Sequence, residues 1–87
     1  MEVIFLPKAD EDLSFWQKSG NKAILKKIAQ TLRAITENPY EGVGKPEPLK
    51  HNLSGLWSRR MGREHRIVYK VNENRISIYS LKGQYSK

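Results

Sequence analysis

The chain has 87 residues and carries 16 lysines and arginines against nine aspartates and glutamates, a formal net charge of +7. It has no cysteine, which excludes disulfides and thiolate metal sites, and His51 and His65 lack a metal-ligand spacing. No apolar run reaches the roughly 20 residues that a membrane helix needs. We therefore expect one soluble, cytoplasmic α+β domain at residues 1–87, with no signal peptide, metal, cofactor or membrane partner.

The first half of the chain predicts a short strand and a helix hairpin. Residues 3–6 form an apolar run stopped by Pro7, which favours a strand. Pro7 also suits the first turn of a helix, and the acidic residues 10–12 complement the positive end of its dipole. Residues 19–21 end this helix and cap the next one. Four apolar residues then follow at helical spacing before Pro39: Ile24, Ile28, Leu32 and Ile35.

Residues 40–52 predict a long surface loop, because glycines and prolines follow one another at positions 42, 44, 46 and 48. Long loops in compact domains are usually functional or disordered. The two prolines restrict the backbone around Glu47, which lies between Lys45 and Lys50. A carboxylate held between two cations makes this loop a candidate functional segment.

Three runs with alternating side chains follow the loop, at residues 56–61, 65–71 and 75–81. Residues 72–74 have the composition of a hairpin turn, so the runs predict an antiparallel meander. We expect the helix hairpin to cover one face of this sheet and the arginines to occupy the other. The first strand is expected to join an edge of the sheet.

The charge is unevenly distributed along the chain. Residues 1–44 hold six basic and six acidic side chains, whereas residues 45–87 hold ten basic and three acidic ones. A polyanionic partner is the default interpretation of so basic a half. A solvated basic face and an acidic protein partner are the alternatives that the charge leaves open.

Four segments together carry a family resemblance: NPYEG at residues 38–42, GKPEPLKHNLSG at 44–55, WSRR at 57–60 and EHRIVY at 64–69. With the rest of the chain they resemble the YoeB/Txe group of the RelE-like toxin superfamily over nearly the whole length. The resemblance implies an α+β fold in which an N-terminal helix hairpin packs on a twisted, mainly antiparallel sheet.

The same resemblance implies the toxin of a type II toxin–antitoxin system, a ribosome-dependent endoribonuclease that cuts mRNA in the ribosomal A site. Its implied partners are the ribosome, a cognate YefM-type antitoxin, a second copy in a homodimer, and operator DNA through the antitoxin complex alone. The implied reaction needs no cofactor, because the RNA 2′-hydroxyl attacks its own phosphate. It needs a base, a cation that stabilises the phosphorane, and an acid for the leaving oxygen.

By this resemblance Glu47 is the general base and Arg66 the transition-state arginine. Gln84 and Tyr85 occupy the position of a terminal His-Tyr pair, and we count them with the catalytic residues. Residues expected to bind RNA phosphates are Lys45, Lys50, His51, Arg59, Arg60 and Arg63. By position alone, Glu47 is more often an ordinary loop carboxylate, and Arg66 a strand residue paired with a neighbour such as Glu64.

Gln84 is the departure from the family pattern, because the family has its general-acid histidine there. An amide does not release a proton near pH 7, and a general acid contributes about 10²–10⁴-fold to a rate. We therefore expect attenuated cleavage. Three explanations of the glutamine are open. The histidine was deliberately substituted, or the protein uses another acid (Tyr85, Lys50 or water), or this copy of the toxin has decayed. Two other classes stay open: a non-catalytic translation blocker that binds RNA or the ribosome, and a ParE-like topoisomerase poison.

Overall fold

A computed structural model describes residues 1–83. Its elements in chain order are β1 (Glu2–Phe5), α1 (Pro7–Ser19), α2 (Lys22–Glu37), β2 (Glu47–Pro48), a short 3₁₀ helix (His51–Leu53), β3 (Trp57–Arg60), β4 (Arg66–Asn72) and β5 (Arg75–Ser80). The helix hairpin and the meander that the sequence predicts are confirmed. The prediction of an entirely irregular loop at residues 40–52 is wrong in part, since β2 and the 3₁₀ helix lie within it.

The two helices begin and end where local chemistry favours it. Pro7 fills the first turn of α1, where its missing N–H costs nothing, and Gly20 ends that helix in a left-handed conformation at φ 74°. The Asn21 side chain caps α2 by accepting a hydrogen bond from the Ile24 amide at 3.1 Å. Asn38 is the C-cap of α2, directly before Pro39.

The five strands form one mixed sheet in the order β1-β5-β4-β3-β2. β1 runs parallel to β5, and the remaining neighbours are antiparallel. β1 therefore occupies one edge, as the sequence predicts, and the two-residue β2 occupies the other. This α+β architecture, with a mainly antiparallel sheet, matches the expected fold class.

One face of the sheet packs against both helices and contains most of the core. Buried side chains from β4 and β5 meet apolar side chains of α1 and α2 there: Ala9, Trp16, Ile28, Ile35, Ile67, Tyr69, Ile76 and Ile78. Because side chains alternate along a strand, Ser58, Arg60, Arg66 and Val68 point to the opposite face. Neither helix covers this face, and we call it the uncovered face, although Ser58 and Val68 are buried in it. No helix within residues 1–83 has the length and hydrophobicity to cross a membrane.

Candidate active site

Glu47 and Arg66 are in contact on the uncovered face of the sheet. β2 pairs with β3 so that Glu47 lies opposite Ser58, and Ser58 lies opposite Val68 in β4. Residues that face each other across strands point to the same side, so the Glu47 side chain lies on the face that carries Arg66. Arg66 Nη1 is 3.1 Å from Glu47 Oε1.

This ion pair is accessible to a ligand. The Glu47 side chain is 56% exposed and that of Arg66 is 21% exposed. An ion pair this exposed contributes less than about 1 kcal/mol to folding, because water screens it. The contribution of this ion pair to folding is therefore too small to explain why it lies here. Its geometry leaves a carboxylate and a guanidinium available to one reacting phosphate.

Ser58 fixes the arginine of this pair. Its hydroxyl accepts a hydrogen bond from Arg66 Nη1 at 3.0 Å, and the residue is 1% exposed. We did not identify Ser58 from the sequence as a site residue. The signal was present, since strand alternation places a small polar side chain on the same face as Arg60 and Arg66.

Five of the six residues expected to bind phosphate are exposed in the structure: Lys45, Lys50, His51, Arg60 and Arg63. Arg60 and Arg66 are cross-strand partners. Like charges facing each other destabilise a sheet, and a bound polyanion would relieve that repulsion. The uncovered face thus carries a second arginine, Arg60, beside the ion pair.

The backbone around Glu47 is strained on both sides. Lys45 has φ 49° and His51 has φ 60°. Both lie in the left-handed region, which costs a non-glycine residue about 1–2 kcal/mol. Such strain persists only where the surrounding structure imposes it, and it concentrates at functional sites. The segment between these two residues contains β2 and hence Glu47.

Arg59 is buried, unlike the other five residues, which corrects our expectation that it binds RNA. Its side chain is on the covered face with Trp57, and it is 0% exposed. Arg59 Nη2 donates to the Asn38 carbonyl at 2.7 Å and to the Glu41 carbonyl at 3.2 Å. A guanidinium bound in this way cannot reach a phosphate in solution. Arg59 instead ties the loop that follows α2 to the sheet.

Two further contacts hold the same loop. The Tyr69 hydroxyl donates to the Pro39 carbonyl at 2.6 Å. Burial raises the pKa of Tyr69, and the nearby positive charge of Arg59 opposes this shift in part. The Arg60 amide donates to the Gly44 carbonyl at 2.8 Å. The loop is therefore held to the sheet by hydrogen bonds before it reaches Glu47.

Gly44 is the point of closest approach between the loop and β3. Its φ is +86°, and a Cβ there would lie 2.6 Å from Arg59 Cγ and 2.7 Å from the Arg60 carbonyl oxygen. Only glycine fits both the conformation and the space. The two glycines singled out in the sequence are thus not equivalent, since a Cβ at Gly42 would be an ordinary 3.4 Å from Arg59 Nη1.

The end of the described chain also reaches Arg66. The Arg66 amide donates to the Gly83 carbonyl at 3.2 Å. Gly83 directly precedes Gln84, which the sequence places at the position of the catalytic acid. The chain is therefore beside Arg66 at the residue before Gln84. Gln84 and Tyr85 themselves lie outside the described residues.

Two helices on a mainly antiparallel sheet, with a carboxylate–guanidinium pair on the uncovered face, define a small α+β domain of the RelE-like toxin class. Residues 5–85 match the family model of the YoeB-like toxin of bacterial type II toxin–antitoxin systems. The chain is similar to Toxin YoeB of Escherichia coli (strain K12), with 44% identity over 85 residues covering 98% of this chain and 100% of that protein.

Two solved structures from Staphylococcus aureus have the same fold. A YoeB–YefM complex superposes with a TM-score of 0.87 at 46% identity, and a YoeB dimer with a TM-score of 0.88 at 45% identity. Each match covers 98% of both chains. The chain therefore belongs to the family of YoeB-like toxins of bacterial type II toxin–antitoxin systems.

Proposed function

We propose that this toxin is a ribosome-dependent mRNA endoribonuclease whose active site contains Glu47 and Arg66. The observation that carries the proposal is the 3.1 Å contact between their side chains on the uncovered face. A base and a cation at this separation suit an attack in which a proton leaves one oxygen while charge grows on an adjacent phosphate. The resemblance of the sequence to the YoeB group supports the same chemistry.

In this mechanism the substrate phosphate displaces Glu47 as the partner of Arg66. The freed carboxylate takes the proton of the RNA 2′-hydroxyl, whose oxygen attacks the neighbouring phosphorus. Arg66, held by Ser58, stabilises the negative charge of the phosphorane. The bond to the 5′-oxygen breaks, and that oxygen takes up a proton. The products are a 2′,3′-cyclic phosphate, or the 3′-phosphate after its hydrolysis, and a 5′-hydroxyl.

The proton for the leaving oxygen is the step in which this chain differs from its family. Gln84 donates hydrogen bonds but releases no proton near pH 7. We propose that Gln84 attenuates cleavage, and that Tyr85, Lys50 or water supplies the proton in its place. Tyr85 also suits stacking on a base of the message.

The cationic surface, which we define as Lys45, Lys50, His51, Arg60 and Arg63, is proposed to hold the message in the ribosomal A site. All five residues are exposed. Arg60 is the cross-strand partner of Arg66, and the other four lie near Glu47 or Arg66 in sequence. Arg59 is left out because it is buried. Phosphate contacts of this kind contribute affinity and register without reading sequence.

We propose a YefM-type antitoxin and a second toxin copy as protein partners, since the related Staphylococcus aureus proteins form a YoeB–YefM complex and a YoeB dimer. Operator DNA is proposed to bind through the antitoxin complex. The toxin is proposed to act in the cytoplasm as a single domain at residues 1–87, with no cofactor.

The proposal is tested by Glu47→Ala and Arg66→Ala, each made alone and together with Gln84→His. Both substitutions should abolish cleavage of a defined message on translating ribosomes while ribosome binding remains. Glu37→Ala and Arg33→Ala are the matched controls, because both residues are exposed on α2. Cleavage that survives Glu47→Ala and Arg66→Ala would overturn the site.

A second candidate, a translation blocker that binds without cutting, is favoured by Gln84. It predicts tight ribosome binding and no cut ends, with Gln84 or with histidine in its place.

A further inference from the structure

Residues 81–83, which we name the terminal segment, are held mainly by side chains. β5 ends at Ser80, and ladder pairing with β4 ends with it. The Leu81 amide donates to Asp12 Oδ2 at 2.9 Å, and Trp16 Nε1 donates to the Leu81 carbonyl at 3.0 Å. Two side chains of α1 therefore bind both polar backbone groups of one residue.

His65 provides the third anchor. The Gly83 amide donates to His65 Nδ1 at 2.7 Å. This bond requires an imidazole whose Nδ1 carries no proton. The His65 ring also packs edge-on against Trp16, with ring centroids 4.7 Å apart and an interplanar angle of 79°. The anchors at Leu81 and Gly83 are thus in contact with each other.

Two of the three anchors, Asp12 and Trp16, are buried, whereas His65 is half-buried. Asp12 is 3% exposed and Trp16 is 7% exposed. Lys8 Nζ lies 2.6 Å from Asp12 Oδ1, so the other carboxylate oxygen depends on the Leu81 amide. A buried polar atom that loses its partner bears its full desolvation cost. Moving the terminal segment would leave a carboxylate oxygen and an indole N–H unsatisfied together.

These contacts matter beyond stability because of where the segment leads. The Gly83 carbonyl accepts from the Arg66 amide at 3.2 Å, and Gln84 and Tyr85 follow in sequence. We propose that Asp12, Trp16 and His65 form a clamp that fixes the terminal segment beside Arg66, and that they are positioning residues for the cleavage reaction. The positioning role rests on the proposed function, whereas the clamp stands on its contacts.

The test compares two substitutions of His65. In His65→Asn the side-chain oxygen occupies the place of Nδ1 and still accepts from Gly83, whereas His65→Leu has no acceptor. Amide hydrogen exchange by NMR should show Gly83 protected in the starting chain and in His65→Asn, with faster exchange in His65→Leu. The Ile67 amide, in the middle of β4, should stay protected in all three and reports that the fold is intact.

Cleavage is then measured on translating ribosomes in the Gln84→His background. His65→Leu should lower the rate at saturating ribosomes by about 10–100-fold, because a small misplacement of reacting groups costs that much. The ribosome dissociation constant should change little, and His65→Asn should restore the rate. Trp16→Phe, which keeps a ring but loses the indole N–H, should lower the rate in the same way. Asp10→Asn, an exposed change on α1, is the control.

The two claims fail separately. Equal Gly83 exchange in the starting chain and His65→Leu would overturn the clamp. Faster exchange with an unchanged cleavage rate would overturn the positioning role. Absence of cleavage from every variant would overturn the proposed function and the positioning role with it, while the exchange result would still decide whether the clamp exists.

Discussion

The two segments that approach Arg66 are held by opposite chemistry. The loop at residues 38–46, which leads to Glu47, offers carbonyl groups, and a buried guanidinium and a phenol of the sheet donate to them. The terminal segment instead offers the amides of Leu81 and Gly83 and the carbonyl of Leu81. A carboxylate and an imidazole accept from the amides, and an indole donates to the carbonyl.

The difference shows how a small domain holds irregular segments beside a central strand. Arg66 belongs to β4, in the middle of the sheet. Neither neighbouring segment lies in a long strand or helix. Several of their backbone groups are therefore satisfied by side chains from the covered face, from α1 and from His65. The two sets of anchors share no residue.

The largest expected effect on the loop side comes from Gly44→Ala. The added Cβ meets Arg59 Cγ and the Arg60 carbonyl in a backbone with φ +86°. We expect a loss of about 3 kcal/mol in unfolding free energy, from overpacking and backbone strain together. Gly55→Ala is the matched control, since Gly55 has φ +95° and open space around a Cβ. Urea unfolding that gives equal losses for both would show that the loop does not press on β3.

Arg59→Met removes the guanidinium that binds the loop and keeps the stem. We expect about 2 kcal/mol of lost stability, because charge-assisted hydrogen bonds to two carbonyls disappear. Within residues 1–83, Arg59 Nε and Nη1 are buried without a hydrogen-bond partner, so both atoms have a desolvation cost in the folded state. Methionine removes these two atoms and their desolvation cost, which keeps the loss of stability moderate. Arg33→Met on the exposed face of α2 should change stability little in the same urea series. An unchanged midpoint for Arg59→Met would refute the anchoring role.

Tyr69→Phe should have the smallest effect and a distinctive pH dependence. At neutral pH it should cost about 1 kcal/mol, the hydrogen bond to Pro39. Because burial raises the pKa of Tyr69, the folded state retains the phenol proton longer than the unfolded state. The stability that the protonated Tyr69 contributes is fully present below about pH 10, the ordinary pKa of tyrosine. It is lost as the pH rises through the pKa of Tyr69 in the folded state.

The stability gap between the starting chain and Tyr69→Phe should therefore narrow above about pH 10. Unfolding free energies measured from neutral to strongly alkaline pH test this, with Tyr79→Phe on the half-buried Tyr79 as the control. A gap that stays constant across this range would contradict the assignment.

Local periodicity accounts for what the sequence predicts correctly. The stripe through Ile24, Ile28 and Ile35 gives α2 and its buried face. Strand alternation gives the meander and places Arg66 on the uncovered face. β2 escapes prediction because two prolines argue against a strand, although an edge strand tolerates them.

The anchors escape prediction because their partners are distant in sequence. Alternation does put Arg59 beside Trp57 on the covered face, yet its charge argues for exposure, and the carbonyl groups of residues 38 and 41 that it binds carry no sequence signal. Asp12 and Trp16 bind Leu81, 69 and 65 residues away. The family resemblance suggests Glu47 and Arg66, but it says nothing about what holds them in place.

We propose above all that a site built on Glu47 and Arg66 cuts messenger RNA, and that Gln84 slows it by replacing the family's general-acid histidine. Cleavage of a defined message on translating ribosomes, by this chain and by Gln84→His with the ends mapped, tests it most directly. We predict that both bind ribosomes and that Gln84→His cleaves at least about 100-fold faster, leaving 5′-hydroxyl ends. Tight ribosome binding without cleavage by either protein would contradict the claim and identify a toxin that blocks translation without cutting.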